Sequence, residues 1–295
     1  MLYLSSLLQT NPTYKPAANR LFAALYAAGV EYQLIDGTHD IWLRDFMPVQ
    51  IRDGSFVSFR YEPSYLENEP ELRTNFKNDL SLQFSFPVTY SDINLDGGNV
   101  VLSPSKEQAI ISNRILTENL NYTQAELIKT LEQQLKAQVI LIPSLKKKND
   151  MTGHADGMVR FVNENTVIGN YVPSKKGLEQ RIQSVLQGYG IDVIDFPYFS
   201  SSHDSAVGCY LNFLETERHI FLPVFGNELD DKAVASAKEI FAKMIIPVNV
   251  NEIAREGGVL NCISWETKQT EKKQKIKSKR FLLPEDDFMK PALYF

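Results

Sequence analysis

Cys262, His154 and the carboxylates Asp45, Asp96 and Asp156 are the residues whose types invite chemistry. Each stands in a short polar stretch marked by glycine or tryptophan. These are Trp42-Leu43-Arg44-Asp45, Asp96-Gly97-Gly98-Asn99, Gly153-His154-Ala155-Asp156 and Glu256-Gly257-Gly258-Val259-Leu260-Asn261-Cys262. Ser202-His203-Asp204 is a further stretch of the same kind. A thiol needs a lowered pKa or a neighbouring base to act at neutral pH, and His154 is the candidate acid or base. The set is poorly suited to acyl transfer, because clustered carboxylates oppose a developing oxyanion. It suits a planar cation: carboxylates accept the forked N–H pairs of a guanidinium, whose charge compensates their own.

Taken singly, these residues carry blander readings. A lone cysteine is commonly a small buried hydrophobe, and Cys209, inside an apparent strand, reads that way. His154 alone reads as a structural histidine, Asp96-Gly97-Gly98 as turn chemistry and Trp42 as a core or interface residue. His39, His203 and His219 read as structural too. His154, Asp156, His203 and Asp204 match no strong zinc spacing, so no metal site is expected.

The elements that must position these loops recur along the chain. Helix-period stretches at Pro16–Ala28, Thr123–Ala137, Gly177–Tyr189 and Asp230–Lys243 each lead into a short apolar run. The first places Leu21, Phe22, Leu25 and Tyr26 on one face and stops at Gly29. The second opens with the capping-box pair Thr123 and Glu126. The runs Tyr32–Ile35, Val139–Ile142, Val193–Phe196 and Ile246–Val250 read as buried strands. Hairpins follow the loops: Val49–Arg52 into Phe56–Tyr61 across Asp53-Gly54, Val159–Val162 into Val167–Tyr171, and Tyr210–Leu214 into Ile220–Val224. A partial copy has strand Val88–Tyr90, hairpin Asn99–Leu102 with Ala109–Ser112, and a poorly marked helix within Glu71–Gln83. Steps from Asp45 to Asp96, His154, His203 and Cys262 are 51, 58, 49 and 59 residues. Units of this size stack and bury faces against one another. Five closing into a ring would gather the loops at one end of an axis, with residues 1–295 forming one domain.

Composition narrows the class. The 295 residues are long enough to bury a sizeable core without a staple. With 31 Lys+Arg against 36 Asp+Glu, the net charge of -5 argues against a nucleic-acid or anionic-membrane partner. Two cysteines make no disulfide framework. The sequence shows neither a signal peptide nor a run long enough to span a membrane. A cytoplasmic location is the expectation. The run Lys268–Arg280 reads as a solvated basic segment.

The ordered motifs resemble the agmatine deiminase and bacterial peptidylarginine deiminase family. They are Trp42-x-Arg44-Asp45 with Pro48, Asp96-Gly97-Gly98, Gly153-His154-x-Asp156 and Gly257-Gly258-x-x-x-Cys262. Tyr210-Leu211-Asn212-Phe213, Pro223-x-Phe225-Gly226 and Asp230-Asp231-Lys232-Ala233 fit the same pattern. The family belongs to the guanidino-group-modifying superfamily. Its fold implies α/β class: a five-bladed α/β propeller (pentein) with pseudo-five-fold repeats around a central active site. The resemblance implies hydrolytic deimination of a small guanidino compound or an arginyl peptide through a thiouronium on Cys262, with no cofactor. His154 would be the acid and base, Asp45 and Asp156 would hold guanidinium nitrogens, and Asp96 and Trp42 would contact substrate. Arg60 and Tyr61, at the end of the first hairpin, are expected at the far end of the substrate, where the arginine would favour a carboxylate. The family usually carries His where Asn261 stands and three glycines where Glu256-Gly257-Gly258 stands. An amidinotransferase and a non-catalytic binding protein are the competing readings, and the sequence allows a homo-oligomer.

Overall fold

The computed structural model describes residues 1–144, 152–170, 177–200 and 205–268. Ser202-His203-Asp204 and the basic run beyond Lys268 lie outside the described residues. The architecture is α/β, built on mixed three-stranded sheets that repeat one connectivity. The first elements are β1 (Leu2–Ser5) and β2 (Tyr32–Ile35). Next come β3 (Val49–Gln50), β4 (Phe56–Arg60) and β5 (Val88–Asn94). They are followed by β6 (Val100–Leu102), β7 (Gln108–Ser112) and β8 (Gln138–Ile142). Then come β9 (Val159–Asn163), β10 (Thr166–Asn170) and β11 (Asp192–Phe196). The last are β12 (Leu214–Glu215), β13 (His219–Val224), β14 (Met244–Asn249) and β15 (Ser264–Glu266). In each sheet the middle strand pairs antiparallel on one side and parallel on the other.

The sheet β15-β1-β2 takes its antiparallel pair from the two ends of the described chain, with Leu4 opposite Ser264. It supplies the hairpin that the sequence lacks before Tyr32. A parallel partner requires a crossover, and four crossovers are helices. Lys15–Ala27 buries Ala17, Ala18, Leu21, Phe22 and Leu25. Tyr26 is 76% exposed, a correction to its expected place on that face: it sits on the flank of the stripe, past the packed residues. The helix ends where Gly29 adopts φ +65° and Val30 N–H reaches back to Leu25 O at 2.9 Å. Gln124–Leu135 carries the expected capping box and buries Leu127, Leu131 and Leu135. Leu178–Gly188 and Asp230–Ile240 complete the set.

The crossover from β4 to β5 differs. Residues 61–87 contain short turns at Ser64–Leu66, Pro70–Leu72 and Ser81–Gln83 and a single π turn at Phe76–Leu80. Pro63, Pro70 and Pro87 break any long helical period, and buried Phe76 and Leu80 anchor the segment instead. A second departure concerns Cys209 through Phe213. This run is loop and turn, and β12 begins only at Leu214. Tyr210, Leu211 and Phe213 are fully buried by packing of that loop, which mimics the apolar signature of a strand. No helix among the described residues is long and apolar enough to cross a membrane.

Candidate functional site

The loops that follow the third strand of each sheet carry the candidate residues, and three do so on single helical turns. Leu43–Phe46 holds Asp45, Gly97–Asn99 follows Asp96, and Ala155–Gly157 holds Asp156 just after His154. The turns lie close together because glycine permits it. A Cβ on Gly97 would sit 2.1 Å from the Arg44 carbonyl oxygen. A Cβ on Gly98 would sit 2.5 Å from Asp45 Oδ1 and 2.8 Å from His154 Nδ1. A Cβ on Gly258 would meet the Trp42 ring at 2.3 Å, so this glycine lets the indole cover the last loop. Asparagines tie neighbouring loops together. Asn99 Oδ1 accepts from the backbone N–H groups of Ser112 at 2.9 Å and Ala155 at 3.1 Å. Asn212 Oδ1 accepts from Cys262 N–H at 3.3 Å.

Asp45, Asp96, His154 and Asp156 are all buried. His154 Nε2 lies 2.7 Å from Asp96 Oδ2 and His154 Nδ1 lies 3.5 Å from Asp45 Oδ1. Tyr65 Oη donates to Asp96 Oδ2 at 2.9 Å, and Gly98 N–H donates to Asp45 Oδ1 at 3.2 Å. Asp156 Oδ2 accepts from Asn261 Nδ2 at 2.7 Å and Asn212 Nδ2 at 3.1 Å. The Cys262 Sγ stands 3.3 Å from Asn212 Oδ1 and 3.8 Å from Asp156 Oδ2.

Burial sets the protonation states before any ligand enters. Asp45 is pushed up to about 7, first by loss of solvent and then by Asp96 and Asp156, against the pull of His154. Burial alone would depress His154, but Asp45, Asp96 and Asp156 outweigh it and lift the imidazole to about 10. Burial, followed by the charges of Asp156 and Asp45, drives the Cys262 thiol well above its ordinary value. The unliganded thiol is therefore neutral at pH 7.

Cys262, His154, Asp156, Asp45 and Trp42 line one cavity of about 370 Å³. Asp96 does not; it is taken up by His154 and Tyr65 from behind. Arg60 is not brought to the cavity: it is exposed and faces Glu62 at 3.5 Å. Arg44 also lies outside the lining, donating to Asn261 O from Nε at 3.3 Å and ion-pairing with Glu266. The cavity walls add Tyr61, Tyr65, Leu66 and Leu72 from the irregular crossover, and the mutually interacting acids Asp40, Glu69 and Glu256. Among the described residues no Lys or Arg lines it. Cys209 also borders this cavity from its loop.

Sequence reasoning gave no role to Asn212 or Tyr65, yet they hold Asp156, Cys262 and Asp96. The stretch from Pro223 to Asp230 supports the same region indirectly. Asp230 accepts Tyr210 Oη at 2.7 Å and the Gly226 N–H at 2.7 Å, which pins the loop that ends in Asn212.

The fold is shared with solved structures of distant sequence. The C. jejuni agmatine deiminase aligns with a TM-score of 0.69 at 18% identity, covering 95% of this chain and 94% of that one. The Enterococcus faecalis agmatine deiminase gives 0.70 at 16%, covering 90% and 92%. DDAH from Pseudomonas aeruginosa gives 0.54 at 14%, covering 89% and 97%. In sequence, two bacterial proteins with provisional agmatine deiminase assignments match over shorter stretches. The Lactococcus lactis protein is 27% identical over 84 residues and the Streptococcus mutans protein 32% over 81. Those matches span 28% and 27% of this chain, and 23% and 22% of the relatives' own length. The model of one family takes in residues 6–267, nearly all of the described chain, and by that match the protein belongs to the Porphyromonas-type peptidyl-arginine deiminase family.

Proposed function

We propose that this protein is a hydrolase of carbon–nitrogen bonds in linear amidines, deiminating a guanidino substrate to a ureido product and ammonia. The observation that carries the reading is the charge of the cavity around Cys262. Buried Asp156 stands beside the thiol, buried Asp45 lines the same cavity, and no described lining residue is Lys or Arg. A guanidinium entering there would meet carboxylates with the geometry to accept its N–H pairs.

The bound cation would lower the Cys262 thiol, whose proton passes to bulk water. The thiolate then attacks the guanidinium carbon and forms the C–S bond. Protonated His154 donates to one terminal nitrogen, which leaves as ammonia and yields the thiouronium. The neutral imidazole next takes a proton from water as its oxygen attacks the same carbon. Collapse expels the thiolate, and the hydroxylated cation loses a proton to give the ureido product. Asp96 and Tyr65 would hold His154 throughout. No step calls for a cofactor.

Asp40, Glu69 and Glu256, which line the cavity together with the apolar Leu66 and Leu72, support a substrate whose tail carries an amine. An agmatine-like compound fits this reading better than free arginine, whose carboxylate would face three acids. On the same reading the sheets are five blades around one axis and the chain one domain, which the pairing of β1 with β15 supports.

The test is a panel assay for ammonia and ureido product with agmatine, arginine, methylated arginines and arginyl peptides. Agmatine is expected to turn over fastest, and Cys262→Ala to abolish turnover. Absence of activity on every member would sink the reading. A new guanidine formed when a second amine is supplied would instead mark an amidinotransferase.

A further inference from the structure

Asn261 is the pivot on which Asp156 rests. A carboxamide has donors at one end and an acceptor at the other, and reversing it preserves its shape. Reversed, Asn261 would set its oxygen 2.7 Å from Asp156 Oδ2, oxygen against oxygen. Arg160 on β9 removes that choice. Its Nη1 donates to Asn261 Oδ1 at 3.2 Å and to Phe213 O at 2.6 Å. Its Nη2 donates to Glu215 at 3.2 Å, and the guanidinium lies over the Phe213 ring at 4.0 Å. A guanidinium has donors only, so the oxygen end of Asn261 must face it and the nitrogen end must face Asp156. Glu215 is itself held by Lys243 Nζ at 2.7 Å, which fixes the clamp from outside.

We propose that Arg160 is a positioning residue that, through Asn261, turns Asp156 Oδ2 toward Cys262 and leaves the other carboxylate oxygen for the guanidinium. This deepens the deiminase reading and rests on it. Arg160 touches neither the thiol nor the cavity. Arg160 also holds Phe213 O beside Asn212, but Asn261 is the group whose orientation it sets, so removing Asn261 as well should cost little beyond the loss of Arg160.

The experiment compares Arg160→Met, Arg160→Lys, Asn261→Leu and the double variant Arg160→Met/Asn261→Leu. Two readouts are taken: kcat and KM with agmatine, and alkylation rates of Cys262 by cationic chloroacetamidine and neutral iodoacetamide. In each single variant the ratio of cationic to neutral alkylation, and kcat/KM, are expected to fall about tenfold, within the coupling range of residues in one network. The neutral reagent's rate should change by less than about threefold, since the thiol stays exposed to the cavity. The double variant should fall no further than Arg160→Met, and Arg160→Lys should recover part of the loss. Additive losses, or unchanged ratios in the folded single variants, would overturn the inference. Should Arg160→Met fail to fold, Arg160→Lys takes its place in the cycle, with an intermediate loss that vanishes in the Asn261→Leu background. A wild-type protein that turns over no guanidine counts against the deiminase reading, while the alkylation ratios still judge Arg160. A wild-type ratio near one overturns the inference as well.

Discussion

His154 and Asp96 share a hydrogen bond of 2.7 Å in a buried setting, and Tyr65 donates to the same carboxylate oxygen. The pair commits one imidazole nitrogen and keeps His154 charged. Replacing Asp96 by Asn removes one of the carboxylates that outweigh burial, so the His154 pKa should fall from about 10 toward the ordinary imidazole range. A titration of the imidazole by NMR reads this directly, and an unmoved pKa would refute it. The sign for stability follows from the raised pKa. The pair's contribution is fully present below about pH 6.5 and is lost as pH rises toward about 10. Denaturant midpoints of wild type and Asp96→Asn should therefore converge across that window.

A neutral thiol in a cavity of carboxylates predicts selective reactivity. Neutral iodoacetamide should label Cys262 slowly at pH 7, because burial and then Asp156 and Asp45 suppress the thiolate. A cationic haloacetamidine should label it faster by at least about tenfold, since the acids lining the cavity outnumber its one charged imidazole. Peptide mapping separates Cys262 from Cys209, which borders the same cavity. Equal rates for the two reagents would remove the anionic-site argument.

The residues that bear charge or a thiol were legible because their loops carry glycine and tryptophan in a repeated order. The strands after the helices were legible from β-branched runs, and Thr123 with Glu126 marked a helix start that the structure keeps. The pairing of β1 with β15 was not, because it joins short segments about 260 residues apart, at opposite ends of the described chain, and leaves no local signal. The crossover 61–87 hides for a different reason: its prolines erase the helical period, so Tyr65, Leu66 and Leu72 show no sign of forming a cavity wall, whereas Tyr61, at the end of the first hairpin, lines the cavity near where it is expected. Asn212 and Asn261 act through amides, which read in a sequence like any surface asparagine. Cys209 misleads because a loop packed against the core is as apolar as a strand.

The acids Asp40, Glu69 and Glu256 of the cavity separate two substrate classes. Asp40 is pushed up to about 6, first by burial and also by Glu69 and Glu256, while its Oδ1 accepts the Ile41 N–H at 2.6 Å. Asp40→Asn should raise KM for agmatine about five- to tenfold, the scale of one partly screened charge contact. It should leave an alkylguanidine with an uncharged tail within about twofold. Arg60→Ala should change neither, because Arg60 faces Glu62 outside the cavity. A selective loss of arginine turnover in Arg60→Ala would revive the carboxylate reading.

Gly97 and Gly98 are neighbours with different tasks. A methyl on Gly97 would strike the Arg44 backbone, which cannot swing aside, so Gly97→Ala should cost about 1–3 kcal/mol of stability. A methyl on Gly98 would strike Asp45 Oδ1 and His154 Nδ1, which are side-chain atoms of the site. Gly98→Ala should still fold, at some cost from the displaced His154 and Asp45, yet lose activity about a hundredfold, as misplacement by about 1 Å does. Loss of folding in Gly98→Ala, or full activity, would each contradict this division.

The acid limb of the rate profile should distinguish free from occupied protein. Asp45 at about 7 must ionise before it can hold a guanidinium, so kcat/KM should fall as pH drops below about 7. Once a cation is bound, its charge opposes the burial that raised Asp45 and lowers that pKa. The acid limb of kcat should then lie at lower pH than that of kcat/KM. Steady-state profiles with agmatine between pH 5 and about 9 check the order, with stability monitored at each point. Coincident limbs would mean that Asp45 does not meet the substrate, and would pass its assigned contact to Asp156 alone.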